Sequence, residues 1–411
     1  MLRLSRRVGA RFVALLRADP AGVRAGFVAL LVSGATGLIA GITLGRVTGT
    51  LEELPGLLIL VPAAVGMRGN VFGALGSRLG TAVHMGTFRL SWRIDTHVGQ
   101  NLASSVVLST ALAWVLAVVA KGFATGFGVA DAISLADFVV ISVVGGLLPI
   151  VVVMFITVGI AALSARRAWD LDNVAAPVVT AAADSITLPS LVLATHLANV
   201  GVVTPTVAIA CTVIGVGCLV YGLRTKLPVL RNVVRESVVV LVAAGVVSML
   251  AGVALEGSLT PLLALPALLV IVPPLLSLSG SLAGILASRL ATKLHLGLVD
   301  ARRPGWRNVA EDVVLVYVFA AVVFVLLAVA TEVLGAVLGI DGPGFGRLVG
   351  VALLAGLLAT TCSNIVGAFG ALATYRLGLD PDNFGIPLVS STSDLLGAVS
   401  LILAIVVFGL T

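Results

Sequence analysis

Residues 170–184 read DLDNVAAPVVTAAAD, and residues 380–394 read DPDNFGIPLVSSTSD. Both follow one pattern: Asp, any residue, Asp-Asn, three residues, Pro, six residues, Asp. The final aspartates, Asp184 and Asp394, close runs that are otherwise apolar or weakly polar, and no Asp, Glu, Lys or Arg follows Asp184 until Arg224. An ionised carboxylate in such surroundings is costly unless a partner compensates it. What compensates these two is the question that organises the rest of the chain.

The surroundings are a membrane. The 411 residues are 59% hydrophobic and 11% charged, against about a quarter charged in soluble domains. Runs free of Asp, Glu, Lys and Arg occupy 25–45, 98–120, 138–165, 185–223, 237–255, 257–288, 313–331, 348–375 and 395–411. Such lengths suit helices, which need about 20 residues to cross a hydrocarbon core, whereas barrel strands alternate over about 10. The net charge of +6 fits loops enriched in Lys and Arg on one membrane face and implies no nucleic-acid partner. Cys211, Cys218 and Cys362 lack metal-ligand spacing and read as small packing residues.

The pattern is one of two that recur. VPAAVGMRGNVFGALGSRLGTAVHMG at 61–86 matches VPPLLSLSGSLAGILASRLATKLHLG at 272–297 in 11 of 26 positions without a gap. Its offset of 211 nearly equals the 210 of the aspartate pattern, which predicts a tandem duplication. The expected fold is all-α and polytopic, with five helices in each repeat. These lie near 25–45, 54–86, 98–120, 133–165 and 174–199, then 232–255, 261–296, 309–338, 346–375 and 383–410. One further helix near 203–223 links them, giving about eleven spans and a pseudo-two-fold axis along the membrane normal. The corresponding domains are a basic cytoplasmic segment at 1–24, a first transmembrane domain at 25–200, a linker at 201–230 and a second domain at 231–411. The long second helix of each repeat is interrupted by Gly and Pro and can fall in two pieces; Gly69-Asn70 and Gly280-Ser281 would permit a break whose polar groups line the pore, while close helix packing is the expected role of most of these glycines. With the N-terminus inside, 22 of the 25 Lys and Arg residues fall on inner segments, Arg68 counted among them, so the orientation is predicted N-in.

Within the pattern, Pro177, Thr180 and Asp184 share a helix face, as do Pro387, Ser390 and Asp394. The two prolines leave the carbonyls of Asn173 and Asn383 without their helical partner, and such oxygens are tolerated at depth only beside protein or water. Parallel repeats can bring Asp184 and Asp394 face to face. Two carboxylates alone repel, and a divalent cation between them removes the penalty. The oxygen donors suit Mg²⁺, Mn²⁺ or Ca²⁺, and Mg²⁺ in a wide site keeps part of its water. Asn70 and Ser281 are further pore-lining candidates. Asp172 and Asp382, with Asp170 and Asp380, stand at the membrane edge, where helix capping and an ion-attracting vestibule are equally open. No phosphate-binding loop, nucleophile elbow or zinc-protease helix occurs, so ATP hydrolysis and peptidase chemistry have no support and no enzyme is expected.

These residues, GMRGNVFGALGSRLGTA at 66–82, VPPLLSLSGSLAGILASRL at 272–290 and the two aspartate motifs, resemble the paired integral-membrane domains of MgtE-type transporters. The fused two-domain form of solute carrier family 41 is the arrangement they look like. The resemblance implies Mg²⁺ transport through a central pore, with the aspartates of the fifth helices, Asp184 and Asp394, at the ion site and the carbonyls of Thr180 and Ser390 one turn earlier. It also implies that both pore walls can lie within one chain, so that a homo-oligomer is not required. No cofactor is expected beyond the transported cation, apart from Na⁺ as a coupling ion, and the expected partners are the bilayer and a divalent metal ion. Ser281 in place of Asn70, and Phe72 where relatives often carry an acid, depart from the pattern. The residues alone leave two other readings open: a proton- or Na⁺-coupled carrier of an organic solute, and a non-transporting scaffold or sensor with a structural ion site.

Overall fold

A computed structural model describes residues 20–167, 171–299, 306–377 and 386–410. The described residues form thirteen helices and no strand. They are α1 (Pro20–Arg46), α2 (Thr48–Glu53), α3 (Leu57–His84), α4 (His97–Gly126), α5 (Leu135–Arg167), α6 (Leu171–Thr195) and α7 (Val203–Arg224), then α8 (Pro228–Glu256), α9 (Leu259–Ala264), α10 (Pro266–His295), α11 (Trp306–Leu338), α12 (Phe345–Leu377) and α13 (Ile386–Val407). Eleven of them, all but the short α2 and α9, are long and apolar enough to cross a membrane. The protein is a multi-pass membrane protein.

One expectation is corrected. Gly69-Asn70 and Gly280-Ser281 do not interrupt their helices: α3 and α10 run unbroken through them. The breaks come earlier, at Leu54–Gly56 and Leu265, separating the short helices α2 and α9 from α3 and α10. Pro266 starts α10 at the position where a missing amide costs nothing. Before α3, Gly56 takes a φ of 91° that side chains disfavour. Glu256, at the end of α8, accepts from the Gly56 amide at 2.6 Å and so caps α3 from another helix. Arg68 is corrected too. It lies in the middle of α3, wholly buried, and belongs to neither membrane face.

The packing crosses between the two sets of helices. α1 lies chiefly on α10 and also on α6, while α8 lies on α3 and also on α13. Each set's first helix therefore docks on the long helix of the other set. Glycines set both crossings. A Cβ on Gly41 would collide with the carbonyl of Val270, and one on Gly252 would come within 2.5 Å of the Leu58 carbonyl and the Ile59 Cα. Gly41 and Gly252 are 211 residues apart, as are Ile59 and Val270. Close backbone approach at small residues is how helices associate in lipid, where burial from water supplies no driving force.

The same offset links two contacts at the far ends of the long helices. Arg78 donates from Nε to Asn101 Oδ1 at 2.9 Å, and Arg289 donates from Nε to Asp312 Oδ1 at 3.0 Å. Lys293 also pairs with Asp312, which is 1% exposed. α7 has no counterpart; it packs on α4, α5 and α8, with most of its surface left outward.

Gly252→Ala is expected to destabilise the fold by about 1–3 kcal/mol through overlap with α3. Gly122→Ala, where no atom lies within 4 Å of the added carbon, should be neutral or stabilising by up to about 1 kcal/mol. Thermal unfolding in detergent, followed by size-exclusion chromatography, measures both.

Candidate functional site

Asp184 projects from α6 and is 9% exposed. Its Oδ2 accepts from the Ser277 hydroxyl of α10 at 2.9 Å. Ser277 lies 2.9 Å from the Ser33 hydroxyl of α1, and Ser33 lies 3.3 Å from that of Ser281. A line of three hydroxyls thus runs from the carboxylate along the crossing of α1 and α10. Because hydrogen bonds to an ionised acceptor are about twice as strong as neutral ones, this line fixes the carboxylate's position.

Asp394 projects from α13 and is half-buried. Its Oδ2 accepts from the Ser248 hydroxyl of α8 at 2.8 Å. A Cβ on Gly66 of α3 would lie 3.5 Å from the same oxygen. Asp184 and Asp394 both lie beside the turn of α3 that carries Gly66 and Gly69. Each carboxylate therefore meets the other set's long helix: Asp184 meets α10, and Asp394 meets α3.

The other expected residues fall around this pair. Thr180 sits against α3, where a Cβ on Gly69 would be 3.3 Å from its Cγ2 and one on Gly73 would be 3.7 Å from its Oγ1. Gly69 also faces Asp184 Oδ1, at 4.0 Å from the same built position, so the absence of a side chain there leaves room beside the carboxylate. Ser390 is partly buried, one turn before Asp394 on α13, and Asn70 is partly buried on α3. Ser281 belongs to the hydroxyl line. Asp172 and Asn173 lie in the first turn of α6, with side chains outside the described residues. Asp382 and Asn383, like Asp170 and Asp380, are outside them altogether, and Pro387 stands in the first turn of the described part of α13.

Sequence reasoning missed the serines that bind the carboxylates. Comparing the two repeats hid them, because Ser277 stands where the first set has Gly66, and Ser248 where it has Gly37. Each carboxylate receives one hydroxyl, but from a different member of the crossing pair. The available signal was the run SLSGS at 277–281, which places Ser277 and Ser281 on one helix face.

Arg68 lies on α3 between Gly66 and Gly69 but points away from the carboxylates. It donates to the carbonyls of Ala64 at 2.8 Å and Ser142 at 3.1 Å. A Cβ on Gly146 would collide with its Nη2, so α5 carries glycine there. Among the described residues no three carboxylate, histidine or cysteine side chains gather as a metal cluster. Two carboxylates among hydroxyls are a donor set for an ion that keeps much of its own water.

The sequence model of the MgtE family, described as a divalent cation transporter, matches residues 61–194 and again 272–404. The chain belongs to the MgtE family. Both matches contain one long helix of the crossing pair and one of the two aspartates. Among curated MgtE relatives, solute carrier family 41 member 3 of Rattus norvegicus is 34% identical over 131 residues, covering 31% of this chain and 28% of that protein. Solute carrier family 41 member 2 of Xenopus laevis is 27% identical over 383 residues, covering 84% and 64%. The Gallus gallus member 2 is 26% identical over 372 residues, covering 83% and 62%. The chain thus spans less than two thirds of the length of these relatives. No solved structure matches it.

Filling the gap beside a carboxylate tests the geometry directly. Gly66→Leu should place a branched side chain against Asp394 and raise the Mg²⁺ concentration for half-maximal protection against thermal unfolding at least about tenfold, a loss of about 1.4 kcal/mol, while the protein stays monodisperse.

Proposed function

We propose that this MgtE-family protein carries a divalent cation, with Mg²⁺ first among Mg²⁺, Mn²⁺ and Ca²⁺, through a central path between its two sets of helices. One observation carries the reading. Two carboxylates from matching positions lie beside the same turn of α3, at Gly66 and Gly69, and each is held by a serine hydroxyl from another helix. Paired like charges in an apolar interior are retained for an ion or proton pathway by default, and two negative charges are neutralised together by one divalent ion.

In this mechanism Asp184 and Asp394 attract and centre the ion from opposite walls. Thr180 and Ser390 offer oxygens one turn earlier, and Asn70 and Ser281 line the path. The sequence pattern assigns its entrance to Asn173, Asn383, Asp172 and Asp382, whose side chains lie outside the described residues. The crossing of α1 on α10 and of α8 on α3 supports a pseudo-two-fold axis along the membrane normal, with both walls in a single chain and no requirement for a second copy. The distribution of Lys and Arg supports a cytoplasmic N-terminus. Two charges entering a compartment that is negative by 100 mV gain about 4.6 kcal/mol. A passive path would therefore favour uptake, and export would require a coupling ion such as Na⁺.

Reconstitution in liposomes, with Mg²⁺, Mn²⁺, Ca²⁺ and Na⁺ varied separately, tests this. Flux should depend on the divalent ion and fall to the level of empty liposomes in the Asp184→Ala/Asp394→Ala double variant. Undiminished flux in that variant overturns the site. Metal binding without flux overturns transport, and flux of an organic solute without divalent metal overturns the ion.

A further inference from the structure

The linker helix and the helix after it meet at a corner that gathers positive charge. α7 ends at Arg224, residues 225–227 make the turn, and α8 starts at Pro228. Arg224, Lys226, Arg231 and Arg235 all fall between positions 224 and 235, and no Asp or Glu occurs between Asp184 and Glu236. The corner is held in place. The Leu227 amide donates to Thr225 Oγ1 at 3.3 Å, the Val229 amide donates to Gln100 Oε1 at 3.1 Å, and Arg235 Nη2 donates to the Leu223 carbonyl at 3.2 Å. The last bond brings a guanidinium from the second turn of α8 to the carbonyl that precedes Arg224.

Little on the protein side balances this charge. Among the described residues none of the four cations pairs with a carboxylate. Arg231 and Arg235 stand one turn apart on one face of α8, where like charges oppose each other. Arg231 also lies in the first turn, at the end of the helix dipole that disfavours cations. An anion at the corner removes both penalties. The cluster is not inherited from the repeat: at the offset of 211, Arg235 matches Arg24, but Arg231 matches Pro20, and Arg224 and Lys226 belong to the linker.

The surface next to the cations is apolar and open. α7 touches α8 at the corner, where a Cβ on Gly222 would lie 2.9 Å from Val234 Cγ1, and then follows α4, with Gly215 against Trp114. One turn further from the corner than Arg224, Val220 and Tyr221 are exposed on α7, and one turn further than Arg235, Val239 is 72% exposed on α8. Each helix thus presents cations at its end and uncovered apolar surface beside them, in the order of a headgroup and an acyl chain. A free phosphate ion would use the first and leave the second unused. We propose that this corner binds an anionic phospholipid, with its phosphate among Arg224, Arg231 and Arg235, Lys226 at the rim, and an acyl chain along the seam between α7 and α8. Basic clusters at the ends of spanning helices attract anionic headgroups, and guanidinium groups take phosphate oxygens in pairs. α8 also carries Ser248, which holds Asp394, so a lipid at its start steadies a helix that joins the two sets.

The test uses the full chain in a neutral detergent, with phosphatidylglycerol, phosphatidylcholine and inorganic phosphate as probes. Phosphatidylglycerol should raise the melting temperature and stay bound in native mass spectrometry, whereas phosphatidylcholine and inorganic phosphate at the same concentration should do neither. In Arg224→Gln/Arg231→Gln/Arg235→Gln the concentration for a half-maximal rise should increase at least about tenfold, while in Arg24→Gln/Arg89→Gln, which removes two exposed cations elsewhere, it should stay within about twofold. Should the triple variant not fold, Arg224→Gln/Lys226→Gln, at two exposed positions, is expected to shift the midpoint at least about fivefold. An absent rise, equal protection by phosphatidylcholine or by inorganic phosphate, an unaltered midpoint in the corner variants, or an equal shift in the Arg24 and Arg89 control overturns the proposal.

Discussion

Everything in this fold depends on two helix crossings at which backbone touches backbone. Gly41 lies on the carbonyl of Val270, and Gly252 lies on Leu58 and Ile59. In lipid, apolar side chains gain little by leaving one hydrocarbon environment for another, so close contact is what holds helices together. Because α1 and α8 are joined to one set of helices and packed on the other, these crossings tie the sets together more firmly than the slight contact of α3 with α13. They also aim the site. α6 lies between α1 and α3, and α13 lies between α8 and α10, so both aspartates are turned toward the seam that the crossings create.

That seam is not symmetric in its chemistry. Ser279, which matches Arg68, spends its hydroxyl on the Leu275 carbonyl of its own helix. The first set thus carries a buried guanidinium, held by carbonyl oxygens, on the turn of α3 beside both carboxylates. The second set instead buries Thr360, Ser363 and Asn364 on α12 and Ser393 on α13, with side-chain groups that find no partner among the described residues. The two sets thus place different polar groups at matching depths of their long helices.

Much of this architecture was legible in the sequence because charge-free length and internal repetition are strong signals. The eleven spans lie near the eleven helices expected from the charge-free runs together with the repeat, since α3 has no charge-free run of its own, and their ends differ by a few residues at most joints. The position of the helix break was not legible because glycine serves two physical purposes. Gly69 and Gly66 provide space beside Thr180, Asp184 and Asp394 rather than backbone freedom, while the actual breaks fall where Pro55 and Pro266 restart the chain. The depth of Arg68 was illegible for a related reason: charge counting assigns a residue to a face, and only packing shows that carbonyl oxygens can hold a guanidinium inside. Ser277 and Ser248 were hidden because the two sets supply the same hydroxyl from different helices, so neither position repeats.

The helix without a counterpart follows from the count of crossings. Five spans end on the opposite side from where they began, so a second set of five attached directly would be inverted. α7 carries the chain back, which lets α8 enter from the same side as α1 and cross α3 in the register that α1 uses on α10. In doing so it covers α4 and α5, with Gly215 packed on Trp114, and leaves the matching face of α11 open, where Val318, Val322, Leu326, Val329, Val333 and Val337 are exposed. Their apolar character suits a membrane-spanning helix whose outer face is not covered by the described residues.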